Sequence, residues 1–361
     1  MKVLMVGVDR TSVGGMLTVV ENYLNDDKFC EATKLVYIPS VVNSSVVRKI
    51  LFFIIALVKI IFCILVSRID LVHIHMAERT SVYREGLIAR IAKLLGCKVI
   101  IHMHGANIET WYNQKTKRGK KIASYFIDAA DKVIVLGYNW VPFMETIVSN
   151  KNKVVVVYNS VPAIPYNPYS NKSHDILFLG MLIQRKGIED LLLAFANILP
   201  KIPENICLKL YGDDKNQNIK ELISQNNLEK RAFFCGWLTN DKKSDVFKKT
   251  LLNILPSYNE GLPMTILETM SYGIPNISTE IAAIPELIEN GKNGILIEPG
   301  NVAALENAML FLLNDSAKLQ EFSENAYHTI KGKFTVEKHL KTIFSLYESL
   351  LNRVSSPLCQ F

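Results

Sequence analysis

Short apolar runs alternate with segments of helical periodicity along the whole chain. In its first half, runs rich in valine, isoleucine and leucine predict buried strands. These runs are residues 3–8, 34–38, 71–75, 99–102, 132–136 and 153–157. A similar set in the second half covers residues 175–179, 206–211, 233–235, 252–255, 276–278 and 294–297. Because helical spans separate the runs, the pattern predicts two α/β domains, each a doubly wound, Rossmann-like parallel sheet.

A proline-rich stretch separates the two sets of strands. Residues 161–173 contain Pro162, Pro165 and Pro168 among polar residues, so they cannot form a regular helix. We interpret this stretch as a linker between an N-terminal domain, residues 1–160, and a C-terminal domain, residues 174–335. Residues 336–361 contain a last helix with one apolar face. Since ligands of open α/β sheets bind at the carboxyl ends of the strands, we expect the two domains to face each other across a binding cleft.

The segment after the predicted strand 252–255 places two carboxylates, Glu260 and Glu268, on either side of a helix start. Residues 265–272 carry apolar side chains at helical spacing, which indicates that the helix begins just before them. The start of a helix offers unpaired N–H groups and a positive dipole end, both suited to a phosphate. Glu268, about one turn inside, can accept hydrogen bonds from a ribose. The predicted ligand is a sugar nucleotide, held by Glu260, Gly261, Leu262, Pro263, Met264 and Glu268.

This segment resembles the Glu-x7-Glu signature of retaining family-4 glycosyltransferases of the GT-B fold. The similarity continues through Met270, Gly273 and Pro275, and in residues 284–288 and 293–296. It also includes Gly180 with Lys186 and Gly187, so it is dense in the C-terminal half and thin in the N-terminal half. The resemblance implies transfer of a hexose-type sugar, with retention, from a nucleotide diphosphate donor of UDP or GDP type. It further implies that no metal or other cofactor is needed and that the last helix crosses back to the N-terminal domain.

The resemblance also implies roles for single residues. Glu268 would hold the ribose, Glu260 the sugar hydroxyls and phosphate, and Lys186 would stabilise the charge of the departing diphosphate. Met181 stands where the family usually has an arginine. Arg185 is a candidate replacement for that arginine, and an ordinary surface charge is the alternative.

Gly14 and Gly15 follow the first strand and open the helix 16–24. The resemblance implies a loop facing the donor phosphates, and a plain tight turn is the alternative. A nicotinamide fingerprint would need a third glycine, and an acid about 20 residues further on. Both are missing here, which argues against a dehydrogenase.

Four histidines lie at strand ends in the first half, as the pairs His73 with His75 and His102 with His104. Alternation places the members of each pair on one face of the sheet, an arrangement that also suits a metal site. The resemblance implies that no metal is bound and that His104, before Gly105, faces the donor sugar. A neutral imidazole there can hydrogen-bond a sugar hydroxyl. We expect the other three histidines to lie in the core.

Charge and cysteine content limit the class of protein. Six cysteines are scattered without metal-ligand spacing, and the first strand begins at residue 3, so we expect a cytoplasmic protein without a leader. Residues 1–165 hold 21 basic and 12 acidic side chains, a net charge of +9, whereas the remainder has a net charge of −2. This asymmetry indicates an anionic partner. No nucleic-acid motif is present, so a membrane surface is the better candidate.

Two segments of the first half could meet that membrane. Residues 50–66 have Lys59 as their only polar residue but lie between strands of one sheet, so they cannot span a bilayer. They form either a buried helix or a helix with one face in lipid. An aromatic followed by clustered cations suits anionic headgroups. This second segment contains Trp111, Lys115, Lys117, Arg118, Lys120 and Lys121.

The resemblance implies a glycosyltransferase of bacterial surface polysaccharide or lipopolysaccharide biosynthesis, and the charge pattern adds the expectation that it is peripheral on the inner face of the cell membrane. Its acceptor would be a lipid-linked sugar or a glycan. Two alternatives remain open. A sugar-nucleotide epimerase of the same fold would isomerise or release sugar without an acceptor, and a non-catalytic membrane adaptor with a vestigial nucleotide cleft would leave the donor unchanged.

Overall fold

The computed structural model describes residues 1–12, 14–214 and 218–352. The described chain divides into two units. Unit 1 contains residues 1–160 together with residues 336–352, and unit 2 contains residues 161–335. The chain therefore leaves unit 1 once, at the start of the proline-rich stretch, and returns to it with its last helix.

Unit 1 is built around a six-stranded parallel sheet with the strand order β2-β1-β3-β4-β5-β6. Its strands are β1 (Val3–Val8), β2 (Val36–Val41), β3 (Leu71–Met76), β4 (Lys98–Met103), β5 (Lys132–Val135) and β6 (Val154–Val156). Its helices are α1 (Gly15–Leu24), α2 (Asp27–Thr33), α3 (Val46–Ser67), α4 (Thr80–Leu94), α5 (Ile108–Asn113), α6 (Lys117–Ile127), α7 (Val141–Glu145) and α14 (Val336–Leu350).

The four inner strands of unit 1, β1, β3, β4 and β5, bury both of their faces, which is why they read as nearly continuous apolar runs. On one face, alternate residues such as Val72, Ile74 and Met76 join one apolar cluster with side chains of α3, α4, α5, α6 and α7. On the other face, the intervening His73 and His75 meet aromatic side chains of α1 and α14. The helices α3, α4 and α6 lie in one layer, since α4 contacts both of the others.

Unit 2 repeats the architecture with the strand order β12-β11-β10-β7-β8-β9, again parallel. Its strands are β7 (Asp175–Leu179), β8 (Cys207–Tyr211), β9 (Ala232–Gly236), β10 (Thr250–Leu255), β11 (Asn276–Thr279) and β12 (Gly294–Ile297). Its helices are α8 (Ile188–Ile198), α9 (Ile219–Gln225), α10 (Asn240–Phe247), α11 (Met264–Ser271), α12 (Val302–Leu313) and α13 (Ser316–Lys333).

A buried polar network fixes α11 against the centre of this sheet. The amide of Asn253 on β10 donates to Asn276 Oδ1 on β11 over 2.5 Å, and Thr269 Oγ1 on α11 donates to the same oxygen over 3.0 Å. All three side chains are fully buried. Because buried polar groups are costly when unpaired, these hydrogen bonds hold α11 against β10 and β11.

The doubly wound α/β prediction is confirmed, and each predicted strand is present within a few residues of its expected bounds. The largest shift is at β2, which was predicted to begin at Lys34. Lys34 instead ends α2 in a left-handed conformation with φ 43°, and the strand begins at Val36. The expected last helix is α14, and residues 353–361 lie outside the described part of the chain.

Candidate functional site

Glu260 lies in the loop between β10 and α11, where it is almost completely buried. Its Oε1 accepts a hydrogen bond of 2.7 Å from Ser257 Oγ and pairs with the ammonium of Lys186. Lys186 belongs to the loop that follows β7, so the two predicted site residues come from neighbouring strands of one sheet. Ser257 was not among the predicted site residues.

Gly187 explains why these two loops meet. Its φ is 70°, and a Cβ atom at this position would lie 2.2 Å from the carbonyl oxygen of Pro256. Only glycine satisfies both conditions. The backbone N–H of Tyr258 donates to the Arg185 carbonyl over 2.8 Å, which joins the loops a second time.

The side chain of Arg185 also joins the loop after β7 to the loop after β10. Its Nη1 donates to the Asn259 carbonyl over 2.6 Å, so at least part of the guanidinium holds the loop that carries Glu260. The side chain is partly exposed. Met181, at the position of the family arginine, is also partly exposed. The structure thus gives Arg185 a loop-fixing contact in addition to any contact with a ligand.

The helix α11 begins at Met264 with Pro263 as its N-cap, and no side chain caps it. Proline suits this position because it needs no N–H partner. Leu262, Pro263 and Met264 are buried, and the Gly261 carbonyl accepts the N–H of Ala283 over 3.2 Å. The first turn therefore presents backbone N–H groups and the positive end of the helix dipole, as the sequence predicts.

Glu268 lies one turn into α11 and is paired with a residue that the sequence did not indicate. Its Oε1 lies 2.8 Å from the ammonium of Lys243 on α10, and both side chains are largely buried. The other carboxylate oxygen accepts no hydrogen bond from the residues that the structure describes. Lys243 is one of two adjacent lysines in the polar helix α10. No sequence pattern there shows which lysine points toward the protein and which points into solvent.

The histidines form a cluster within unit 1. His73, His75 and His102 are buried, and His104, after β4, is partly exposed. One ring nitrogen from each of the three buried histidines lies within 4.8 Å of the others. The rings of His73 and His75 stack at 12°, however, and those of His75 and His102 at 30°. Ring lone pairs lie in the ring plane, so stacked rings point them side by side and not at one tetrahedral ion.

Hydrogen bonds link the cluster to α1 and α14. His73 Nδ1 lies 2.5 Å from the Tyr347 hydroxyl, and His73 Nε2 lies 3.3 Å from His102 Nδ1. His339 Nδ1 donates to the Tyr158 carbonyl over 2.8 Å, so its Nε2 accepts from the Tyr23 hydroxyl over 2.6 Å. His339 was not predicted, because α14 shows no pattern beyond one apolar face.

Burial keeps these imidazoles neutral. Desolvation lowers the pKa of His73 and of His104 to about 3, and that of His339 to about 4. It also holds the pKa values of His75 and His102 well below the ordinary value of 6.5. The neighbouring histidines further lower each of these pKa values except that of His339, because a second positive charge nearby is unfavourable.

Gly14 and Gly15 lie at the start of α1, as predicted. Gly14 is the N-cap with φ 125° and ψ 173°, a conformation that L side chains rarely adopt, and no side chain caps the helix. The first turn of α1 thus offers uncapped backbone N–H groups. Val13, which directly precedes Gly14, lies outside the described residues.

The basic cluster lies on α6 and the loop before it. Lys117, Arg118 and Lys121 are exposed, whereas Lys115 and Lys120 are partly exposed. The prediction that Trp111 is an interfacial aromatic is wrong. Its side chain is 8% exposed and packs in the apolar cluster of unit 1, with the Lys115 ammonium 4.9 Å from its ring centroid. A helix of six residues is too short to give a periodicity from which the direction of Trp111 could be read.

The helix α3 is highly apolar, and most of its surface is exposed. It runs for 22 residues, and by length and composition it is long and apolar enough to cross a membrane, but it joins two strands of the same sheet. Only Ala56, Ile60 and Ile64 are buried. We define the outer face of α3 by six highly exposed apolar residues, which are Val47, Leu51, Ile55, Val58, Phe62 and Leu65.

Comparison with known proteins identifies the class of this chain. The profile of the family "Glycosyl transferases group 1" matches residues 166–329. An uncharacterized glycosyltransferase of Methanocaldococcus jannaschii is 29% identical over 97% of this chain and 99% of its own length. The UDP-Gal:alpha-D-GlcNAc-diphosphoundecaprenol alpha-1,3-galactosyltransferase of Escherichia coli is 28% identical over 78% of this chain and 76% of its own length.

Solved structures agree on the fold. Sucrose-phosphate synthase from Thermosynechococcus elongatus superimposes with a TM-score of 0.81 at 16% identity, over 98% of this chain and 99% of that one. The Anabaena protein HepE, in complex with UDP, gives a TM-score of 0.75 at 17% identity, over 97% of this chain and 100% of that one. The chain is a glycosyltransferase with the GT-B fold, and its residues 166–329 match the family of glycosyl transferases group 1.

Proposed function

We propose that this glycosyltransferase moves a sugar, with retention, from a UDP- or GDP-type donor to a lipid-linked or glycan acceptor of a cell-surface polysaccharide or lipopolysaccharide. The observation that carries this proposal is the arrangement around α11. An uncapped helix start lies between Glu260, which is paired with Lys186, and Glu268, which is paired with Lys243. Two carboxylates and two cations in this order match a ligand with hydroxyls at both ends and phosphates in between.

The proposed chemistry divides among these groups. The ribose hydroxyls donate to the Glu268 carboxylate, and the N–H groups of the first α11 turn donate to the diphosphate. The Lys186 ammonium neutralises the charge that grows on the leaving phosphate as the bond from the anomeric carbon to oxygen breaks. The acceptor oxygen bonds to the anomeric carbon on the same face, and its proton passes to the leaving phosphate. No metal or protein nucleophile is required for this step.

Relatives support the donor and acceptor classes. The E. coli relative is named for UDP-Gal and a diphosphoundecaprenol-linked sugar, and HepE has been solved with UDP-glucose. A Staphylococcus aureus relative is a poly(ribitol-phosphate) alpha-N-acetylglucosaminyltransferase. Named transferases of this kind favour the transferase over the epimerase and over the non-catalytic adaptor.

Ligand-induced thermal stabilisation tests the donor class. UDP, GDP and ADP are compared with the corresponding monophosphates, and a ligand at 100 times its dissociation constant should add about 2.7 kcal/mol of stability. We expect one diphosphate to stabilise the protein more than its monophosphate. Lys186→Ala should weaken binding of the diphosphate much more than binding of the monophosphate. Arg185→Ala should have the same effect only if Arg185 also reaches the phosphates. NMR of the product of the matching sugar donor gives the anomeric configuration, and inversion would contradict retention.

We also propose that unit 1 attaches to the cytoplasmic face of an anionic membrane. The charged residues on α3 and directly after it are all positive, which favours anionic lipid as the partner of the outer face. Arg48, Lys49, Lys59 and Arg68 are exposed on or directly after α3, and α3 contains no acidic residue. The cations of α6 belong to the same helix layer. An apolar face flanked by cations is the pattern of helices that lie in the membrane interface.

Vesicle flotation at increasing salt separates the electrostatic contribution to membrane binding from the contribution of apolar insertion. Charge attraction is screened over about 8–10 Å at physiological salt, whereas apolar insertion is not. Neutralising Lys117, Arg118, Lys120 and Lys121 should remove most of the salt-dependent binding to vesicles with anionic lipid. Val58→Ser with Phe62→Ser should remove most of the binding that persists at high salt. Neutralising four exposed lysines of unit 2 is the matched control: Lys201, Lys220, Lys230 and Lys248.

Two results would contradict membrane attachment. Equal flotation of native and neutralised protein would leave the basic cluster as a solvated surface. A concentration-dependent dimer in solution that Val58→Ser with Phe62→Ser abolishes would show that a second copy covers α3. Phe311→Ser, at an exposed phenylalanine of α12, controls for the general loss of an exposed apolar side chain.

A further inference from the structure

His75 and His104 form a pair whose proton positions can be derived from burial. His75 Nδ1 lies 2.8 Å from His104 Nε2, so one of these two nitrogens carries the shared proton. His75 Nε2 is buried and has no hydrogen-bond partner among the described residues. His104 is partly exposed, so its Nδ1 is the nitrogen through which it can meet a ligand.

The buried Nε2 of His75 decides between the two possibilities. If His104 donated to His75, the neutral His75 ring would carry its proton on Nε2, and a buried N–H would have no acceptor. If His75 Nδ1 donates, only a lone pair is left unsatisfied. Unpaired buried N–H groups are rarer in native proteins than unsatisfied acceptors. The buried and unpartnered Nε2 of His102 gives the same result, since His102 Nδ1 then donates to His73 Nε2.

From this geometry we infer that His75 is a positioning residue that fixes His104 in the tautomer with its proton on Nδ1. The inference rests on the proposed glycosyltransferase function and on the position facing the donor sugar that the family resemblance implies for His104. His104 then presents an N–H and not a lone pair to its ligand. It can donate to a sugar hydroxyl or phosphate oxygen, but it cannot accept the proton of an incoming hydroxyl. This assigns His104 the role of a hydrogen-bond donor and not of a base, and it leaves the leaving phosphate as the proton acceptor of the reaction.

The strands make the pairing possible. β3 and β4 are neighbours in parallel register, with His75 opposite His102, so the residue after β4 lies beside the end of β3. Gly105 permits the close turn that follows, because a Cβ there would lie 2.8 Å from the backbone nitrogen of Glu78. His104 is further held by its backbone N–H, which donates to the Met76 carbonyl over 2.7 Å.

Long-range proton–nitrogen NMR of histidine-labelled protein tests the tautomer directly. In the native protein we expect the His104 proton on Nδ1. In His75→Asn the amide nitrogen takes the place of Nδ1 and still donates, so the tautomer should be kept. In His75→Leu, which has a similar size and no donor, the proton should redistribute to Nε2. We expect kcat to fall about 10-fold in His75→Leu, the loss of one hydrogen bond, with donor KM within about two-fold of native.

The outcomes separate the inference from the proposed function. A His104 proton on Nε2 in the native protein overturns the inference without any variant. So does native kcat in a folded His75→Leu when His104→Ala is strongly impaired. If His104→Ala itself turns over at the native rate, the role proposed for His104 fails together with the inference. In a His104→Ala background, His75→Leu should have no further effect on kcat.

Discussion

At the scale of single residues, the site depends on pairs more than on individual side chains. Both glutamates of the signature have a cation of the protein itself as partner. A buried carboxylate without a partner would be costly, so these lysines are part of what makes two acids tolerable beside a diphosphate site. The ligand then replaces or extends existing interactions and does not meet two free charges.

Glu268→Gln should weaken nucleoside diphosphate binding by about 1.5–3 kcal/mol, because an amide is a poorer acceptor for ribose hydroxyls than a carboxylate. Lys243→Met should also weaken it, since Lys243 holds that carboxylate in place. In a double-mutant cycle the two changes should couple by about 0.5–3 kcal/mol. Isothermal titration with the diphosphate measures each affinity. Glu289→Gln, at an exposed ion pair with Lys292, is the matched control and should bind like native protein.

At the scale of elements, short loops after parallel strands bring the site together. The loop after β7 and the loop after β10 meet at Gly187, and the buried network of Asn253, Thr269 and Asn276 fixes α11 behind them. The position of the helix start thus depends on residues that touch no ligand. Changes at these positions should affect binding through geometry alone.

Gly187→Ala should be severely destabilising, because a methyl group would collide with the Pro256 carbonyl in a backbone conformation that alanine already disfavours. Gly96→Ala is the matched control, since Gly96 has φ 84° and no atom within 4 Å of its Cβ position. That variant should lose only about 1 kcal/mol, the cost of the backbone conformation. Urea unfolding measures both changes. Equal losses in the two variants would show that the contact with Pro256 is unimportant.

The two faces of α3 should respond differently to substitution. Ile60→Ala removes a fully buried side chain and should cost about 2–5 kcal/mol of unfolding free energy. Val58→Ser and Phe62→Ser, on the outer face, should each change stability by less than about 0.5 kcal/mol. Thermal unfolding of the three variants in the absence of lipid makes the comparison. A large loss from Phe62→Ser would mean that protein covers this face.

The elements follow from the sequence much better than the contacts between them do. The strands and α11 are visible as local apolar patterns, and Glu260, Glu268 and Lys186 as a short motif. Lys243 and Glu268 are 25 positions apart, and Lys186 and Glu260 are 74 apart. Such pairs depend on how separate elements are placed on the sheet, which no local pattern records. The burial of Trp111 and the pairing of His75 with His104 escaped for the same reason.

At the scale of the whole molecule, the histidines are concentrated in one place. Five of the seven in the chain, His73, His75, His102, His104 and His339, form one network in unit 1. All have a pKa in the folded protein below the ordinary 6.5. In the unfolded chain they would titrate normally. Unit 1 therefore couples its folding to proton binding.

The free energy of unfolding of unit 1 should be at its full value above about pH 6.5 and should decrease as the pH falls below it. The unfolded state then binds protons that the folded state cannot, and each histidine contributes up to about 1.4 kcal/mol per pH unit. Urea titrations from pH 7.5 to pH 4.5 measure this slope. His102→Leu should reduce it by the share of one histidine. A slope that is unchanged in this variant would contradict the neutral state of His102.

The return of the chain to unit 1 sets the order in which the protein is completed on the ribosome. Tyr347 and His339 of α14 close the histidine face of a sheet whose strands are synthesised first. Residues 161–335 are made in between, which at ~5–20 residues per second takes ~10–35 s. Throughout that interval unit 1 lacks α14, whereas unit 2 has all of its strands and helices as soon as the interval ends. The half that is translated second is therefore the first to be complete.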